Sequence, residues 1–227
     1  MITVQSQPLA VVVGVGPGIG RAVADRFGRE GFRVALLSRQ AERLRRLTDD
    51  LARRGYDVTS VETDAADPES LRAALRSVIG RHGDPEVLVY NAAGGAAGRP
   101  SMLSPQALDV AFAVNVIGPL VAVQAVLPQM REHGRGTVLV TGAGWALDPR
   151  PENAASAIAK AAQRALVLAL AKEVEPLGVH VATVTVMGDP LPGTPFDPTA
   201  IANAFWELHL EPSGTWSTEM IFTGRVG

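Results

Sequence analysis

No cysteine occurs in this chain, which removes disulfides, thiolate nucleophiles and Cys-type zinc sites at once. Lysine is nearly as scarce. Nineteen arginines stand against Lys160 and Lys172 alone, so a lysine at a motif position is conspicuous. Tyrosine is confined to Tyr56 and Tyr90. The four histidines, His82, His133, His180 and His209, are scattered, with no two at metal-ligand spacing, and read as surface or packing residues; no metal is expected. Charge of one sign is not in excess either. A net charge of −2 over 227 residues leaves no footprint for nucleic acid or a membrane surface. The opening MITVQSQPLAVVVGVG carries no basic stretch, and its apolar run is too short for a signal or spanning segment, so a cytoplasmic protein is expected.

The residues present are 47% hydrophobic and 19% charged, enough to bury one sizeable core. Short β-branched runs recur at 9–13, 33–38, 57–61, 87–90, 137–141, 179–186 and 219–222. Most lack strict polar alternation, as strands covered on both faces do. Helical patterns fill the gaps at 19–29, 41–53, 68–81, 105–131, 153–176 and 198–209. Three of these begin with a capping residue followed by proline: Asp67-Pro68, Ser104-Pro105 and Asp197-Pro198. No linker or repeat interrupts the alternation. It predicts a single α/β, doubly wound domain over 1–227, with a seven-stranded parallel sheet in the order 3-2-1-4-5-6-7.

The first strand runs into Gly14-Val15-Gly16-Pro17-Gly18-Ile19-Gly20 and then a helix. Glycines between a strand and a helix permit a tight turn and let a pyrophosphate approach the backbone, where free N–H groups and the helix dipole hold it. Ile19 occupies the place of the third glycine of Gly-x-Gly-x-x-Gly, so the spacing is Gly-x-x-x-Gly-x-Gly instead. At the end of the second strand, a carboxylate would bind the ribose 2′-hydroxyl of NAD. Here stand Ser38 and Arg39, a hydroxyl and a guanidinium suited to a 2′-phosphate. NADP(H) is therefore expected over NAD(H).

On these residues the chain resembles the short-chain dehydrogenase/reductase family, whose glycine spacing it carries. Two further segments support the resemblance. Asp64-Ala65 follows the third strand, where the family's Asp contacts the adenine. Tyr90-Asn91-Ala92-Ala93-Gly94 ends the fourth strand like the family's Asn-Asn-Ala-Gly, with Tyr90 expected to pack inside the sheet. The resemblance covers about residues 8–188. It implies cofactor contacts from Gly14, Gly18, Ile19, Gly20, Asp64, Ala65, Asn91, Ala92, Ala93 and Gly94, and from Gly188 after the sixth strand. The family's catalytic Asn maps to Asn115, in Phe112–Gly118, and its Lys, which also binds the nicotinamide ribose, to Lys160. Its proton-donating Tyr maps to Ser156 and its carbonyl-polarising Ser, thirteen residues earlier, to Ala143.

Those two replacements matter physically. A phenol titrates near 10 and a neighbouring ammonium brings it toward neutrality, whereas an aliphatic hydroxyl cannot follow. Positioned acid–base catalysis is worth about 10²–10⁴ in rate and one oxyanion donor about 10²–10³. The expected function is an NADP(H)-binding oxidoreductase of altered or weak catalysis on a small-molecule carbonyl or alcohol. The alternative is a non-redox nucleotide-bound protein: a sensor, a silent oligomer partner, or an isomerase or cyclase. Helices 105–131 and 153–176 are apolar around most of their circumference, which points to a homo-dimer or homo-tetramer built on them. After the sixth strand, three prolines and two glycines in 187–195 predict an ordered loop in place of a helical lid. Trp145 and Asp148 are expected to wall an open substrate mouth.

Overall fold

The computed structural model describes residues 7–224. Seven strands, β1 (Leu9–Val13), β2 (Arg33–Ser38), β3 (Val58–Glu62), β4 (Val87–Tyr90), β5 (Gly136–Ala143), β6 (Val179–Val186) and β7 (Glu219–Phe222), form one sheet. Its order is β3-β2-β1-β4-β5-β6-β7, and every neighbouring pair is parallel. Successive side chains of a strand face opposite sides, so β1 splits its apolar residues between two cores. Ala10 and Val12 meet Val23, Phe27, Leu44, Leu51, Phe205 and Leu208 on one face. Leu9, Val11 and Val13 meet Leu71, Leu75, Val126, Met130, Val167 and Val174 on the other. Helices α1 (Ile19–Arg29), α2 (Ala41–Arg53) and α7 (Pro198–His209) cover the first face. Helices α3 (Pro68–His82), α5 (Gly118–His133) and α6 (Ala154–Val174) cover the second. The continuous apolar strands are explained by this double cover.

The three anticipated caps are present. Asp67 accepts from the Glu69 and Ser70 N–H groups, Ser104 from Ala107 and Asp197 from Thr199, each with proline at the helix start. Element ends differ from expectation mainly at β5, which runs from Gly136 to Ala143 because Gly142 and Ala143 still pair with Thr185 and Val186 of β6.

The anticipated helix 105–131 is not uniform. It starts as α4 (Pro105–Phe112), widens into a π turn at Ala113–Ile117, and continues as α5. Pro119 has no N–H to give the carbonyl four residues back, that of Asn115. The Gly118 N–H reaches back five residues, to Ala113, and the Tyr90 hydroxyl donates to the Val114 carbonyl at 2.5 Å. A side chain at Gly118 would collide with that hydroxyl. Sheet and helix are thus fastened at the turn that carries Asn115.

Pro105–His133 and Ala154–Leu177 are long and apolar enough, by length and composition, to cross a membrane, yet a large share of each is buried against the protein itself. Helix α6 is further tied to β7 by a two-pronged pair between Arg164 and Glu219, whose carboxylate also accepts from Thr185.

At the opposite end of the sheet from the glycine turn, α7 ends on His209. Its ring lies among Phe27, Phe32 and Trp206, with Nδ1 3.0 Å from the Thr137 hydroxyl. Burial, with nearby His180 adding to it, lowers its pKa from 6.5 to about 4. Between those values the unfolded chain binds the extra proton and the folded chain does not. Stability therefore falls as pH drops from about 6.5 toward 4, by up to about 3 kcal/mol from this group. Urea unfolding at pH 7 and pH 4.5 should show a clearly smaller acid loss in His209→Gln than in the unmodified protein. Equal losses would remove His209 as the cause.

Candidate cofactor and substrate site

The strand order reverses between β1 and β4, and a crevice opens where their carboxyl ends diverge. The first loop of this crevice is the glycine turn. Gly14 has φ +86°, a conformation that L side chains rarely adopt, and a Cβ there would fall on the backbone of Ala92. Gly16 and Gly18 face open space, so the backbone stays bare at the start of α1, where no side chain caps the helix. Free N–H groups at an eleven-residue helix start make a fitting seat for a pyrophosphate.

A chain of hydrogen bonds runs from this turn into the crevice. The Asn91 amide N–H donates to the Gly14 carbonyl at 2.8 Å, and the Thr141 hydroxyl donates to Asn91 Oδ1 at 2.9 Å. Lys160 Nζ donates to the Thr141 carbonyl at 2.7 Å and to Gln163 Oε1 at 2.9 Å. Lys160 is only 7% exposed. Burial lowers its ammonium from the ordinary value to about 7.

The cavity has a volume of about 680 Å³. Of the residues anticipated to hold a cofactor, Gly14, Gly18, Ile19, Gly20, Asn91, Ala93, Lys160 and Gly188 line it. Ala92 and Gly94 sit behind the wall: Ala92 packs on Gly14, and the Gly94 carbonyl accepts from Asn115 Nδ2 at 2.6 Å. Ser38 ends β2 and Arg39 follows it, exposed and in no ion pair among the described residues. A second hollow, formed by Gln40, Ala41, Glu42, Arg43 and Arg46, adjoins them in sequence. Asp64 is exposed, its carboxylate accepting from the Ala66 N–H, with Ala65 beside it.

The catalytic positions divide. Asn115 is buried in the π turn, with its Nδ2 also donating to the Ala111 carbonyl at 2.8 Å. Its Oδ1 has no partner among the described residues. Ser156 is not a cavity-lining residue. Its hydroxyl lies where a side chain on Gly95 would otherwise sit, so the loop after β4 leans on the serine. Ala143 does line the cavity, and presents only a methyl group. The Thr141 hydroxyl, the nearest substitute in sequence, is already given to Asn91.

Trp145 and Asp148 wall the mouth as anticipated, together with Arg150, Asn153, Met187, Asp189 and Pro190. Arg150 and Asn153 were not foreseen, because nothing in their local pattern separates them from ordinary loop residues. Gln163 had a legible signal: it is the lone amide within the apolar stretch that follows Lys160. The segment from Met187 to Asp197 contains no helix, and its turn is fixed by Asp197, which accepts from the Gly193 N–H.

A parallel sheet of this order, with a glycine turn at its switch point and a buried lysine in the crevice, defines a dinucleotide-binding fold. A family model described as short chain dehydrogenase matches residues 8–188, and the chain belongs to that family. A short chain dehydrogenase of Pseudocercospora fijiensis is 34% identical over 173 residues, covering 75% of this chain and 56% of that protein. The chain thus spans little over half the length of that relative. Among solved structures, a metagenomic short-chain oxidoreductase in complex with NADP superposes with a TM-score of 0.87 at 27% identity, covering 95% and 96% of the two chains. A short chain oxidoreductase from Pseudomonas aeruginosa PAO1, described as containing an atypical catalytic center, superposes at 0.75 with 27% identity, covering 79% and 69%.

Gly14→Ala should cost about 2–4 kcal/mol of stability, since it combines a strained φ with a collision against Ala92. Thermal unfolding of the variant tests this, and an unchanged midpoint would contradict the geometry of the turn.

Proposed function

We propose that the chain is an NADP(H)-binding oxidoreductase whose cofactor seat is intact and whose ordinary carbonyl activation is lost. One observation carries the reading. Lys160 lines the cavity that the glycine turn begins, while the positions of the family's phenol and hydroxyl hold Ser156, turned to Gly95, and Ala143. When bound, the nicotinamide supplies or accepts a hydride. The protein's share is binding and orientation. Backbone N–H groups of the glycine turn hold the pyrophosphate, Ser38 and Arg39 the 2′-phosphate, Asp64 and Ala65 the adenine, and Lys160 the nicotinamide ribose. The metagenomic oxidoreductase in complex with NADP, and an exposed Arg39 with no ion pair among the described residues, support NADP(H) over NAD(H).

The open mouth walled by Trp145, Asp148, Arg150 and Asp189 suits a small-molecule carbonyl or alcohol. With no phenol at 156, the proton comes from substrate or water, and turnover is slow. The contact between Ser156 and Gly95 also favours the second reading, a non-redox protein that keeps the nucleotide. The two readings part on turnover with bound cofactor. NADPH oxidation against a panel of aldehydes and ketones should be measurable only with a narrow subset and absent with generic ketones. Vigorous reduction of a simple ketone would show that another group donates the proton. No turnover with any substrate, despite binding, would leave the nucleotide-bound non-redox protein.

NADPH should bind more tightly than NADH, and Arg39→Ala should remove about 1–3 kcal/mol of that preference. Calorimetry giving equal affinities in the unmodified protein would refute the assignment.

The apolar character of α4 and α6 places Val110 and Ile158 on the surface at 62% and 42% exposure. A cytoplasmic homo-dimer or homo-tetramer that covers this face accounts for them. Sedimentation should show an oligomer at micromolar concentration; a stable monomer would count against it.

A further inference from the structure

The face of α6 that meets the sheet carries one uncharged polar side chain of unusual burial. Gln163 is 1% exposed, one helical turn from Lys160 and on the same side. Its Oε1 accepts from Lys160 Nζ at 2.9 Å, while its Nε2 has no partner among the described residues. A buried amide that leaves half its hydrogen-bonding capacity unmet costs stability, and a leucine of similar size would fill the space without that cost. Packing therefore does not explain the glutamine. The alternative amide orientation would press an NH2 against an ammonium, so Lys160 itself fixes which end faces it.

We propose that Gln163 is the positioning residue for Lys160. With the Thr141 carbonyl it holds two of the three ammonium N–H groups, directs the third into the cavity, and keeps the group protonated where burial alone would strip the proton. The proposal rests on the reading that Lys160 grips the ribose hydroxyls, for which a charged donor is needed. Among the described residues, no other side chain supplies this support. Arg164, the next residue on α6, is paired with Glu219. The charged residues lining the same cavity, Asp148, Arg150 and Asp189, make no ion pair with Lys160, and burial is the one cause of its lowered pKa. The π turn, which packs against α6, carries no charged residue.

The scarcity of lysine makes the test direct. Protein labelled with 13C-lysine gives two Cε signals, and exposed Lys172 serves as the internal reference. The Lys160 signal should titrate well below the ordinary lysine value of 10.5. Gln163→Leu should move its midpoint down by about one pH unit or more, and Gln163→Glu should move it up by at least as much, with Lys172 unmoved in both. NADPH affinity at pH 7 should fall about tenfold in Gln163→Leu and be retained in Gln163→Glu. A residue that merely fills space would not produce opposite shifts. If Gln163→Leu fails to fold, Gln163→Met carries the same expected downward shift and decides in its place. An unmoved Lys160 midpoint in a folded variant overturns the proposal. Shifted midpoints together with unchanged NADPH affinity in Lys160→Met would instead overturn the ribose reading and leave the pairing with Gln163 standing.

Discussion

Asn91 sits where four elements converge, and its side chain holds them together. Its amide donates to Gly14 at the end of β1 and accepts from Thr141 on β5, whose carbonyl in turn receives Lys160 from α6. Parallel strands make no hydrogen bonds beyond their ends, so the carboxyl edge of a sheet is where backbone groups are left over. Here the Gly14 and Thr141 carbonyls are claimed by the Asn91 and Lys160 side chains. The glycine turn, the buried lysine and the strand ends therefore share one hydrogen-bonded frame.

Two departures from the family's pattern act on that frame in the same direction. At 143 the side chain ends at Cβ. At 156 the hydroxyl supports the Gly95 loop instead of facing the cavity. Neither change touches the hydrogen-bonded run from Gly14 to Lys160. On the proposed reading, binding groups and proton-transfer groups are physically separate here, so one set can be lost and the other kept. On the proposed reading, Lys160 has no phenol to tune and acts through what it binds.

Much of the fold was legible because the strands are uniformly apolar and the helices open with strong caps. The sheet order and all six anticipated helical patterns follow from that contrast. What could not be read is non-local. The extension of β5 through Gly142 and Ala143 depends on β6, more than forty residues away in sequence. The π turn at Asn115 needs Pro119 and the Tyr90 hydroxyl together, and neither announces it alone. The same holds for the site. Gly14, Asn91 and Lys160 came from motif spacing, whereas the turning of Ser156 toward Gly95 and the arrival of Arg150 and Asn153 at the mouth depend on how two loops pass each other.

A crystal structure of the protein grown with NADP tests the account most directly. The account predicts the pyrophosphate over the Gly14–Gly20 turn, the 2′-phosphate beside Arg39, and the nicotinamide ribose within hydrogen-bond distance of Lys160 Nζ. A dinucleotide bound away from Lys160, or none at saturating concentration, would contradict it.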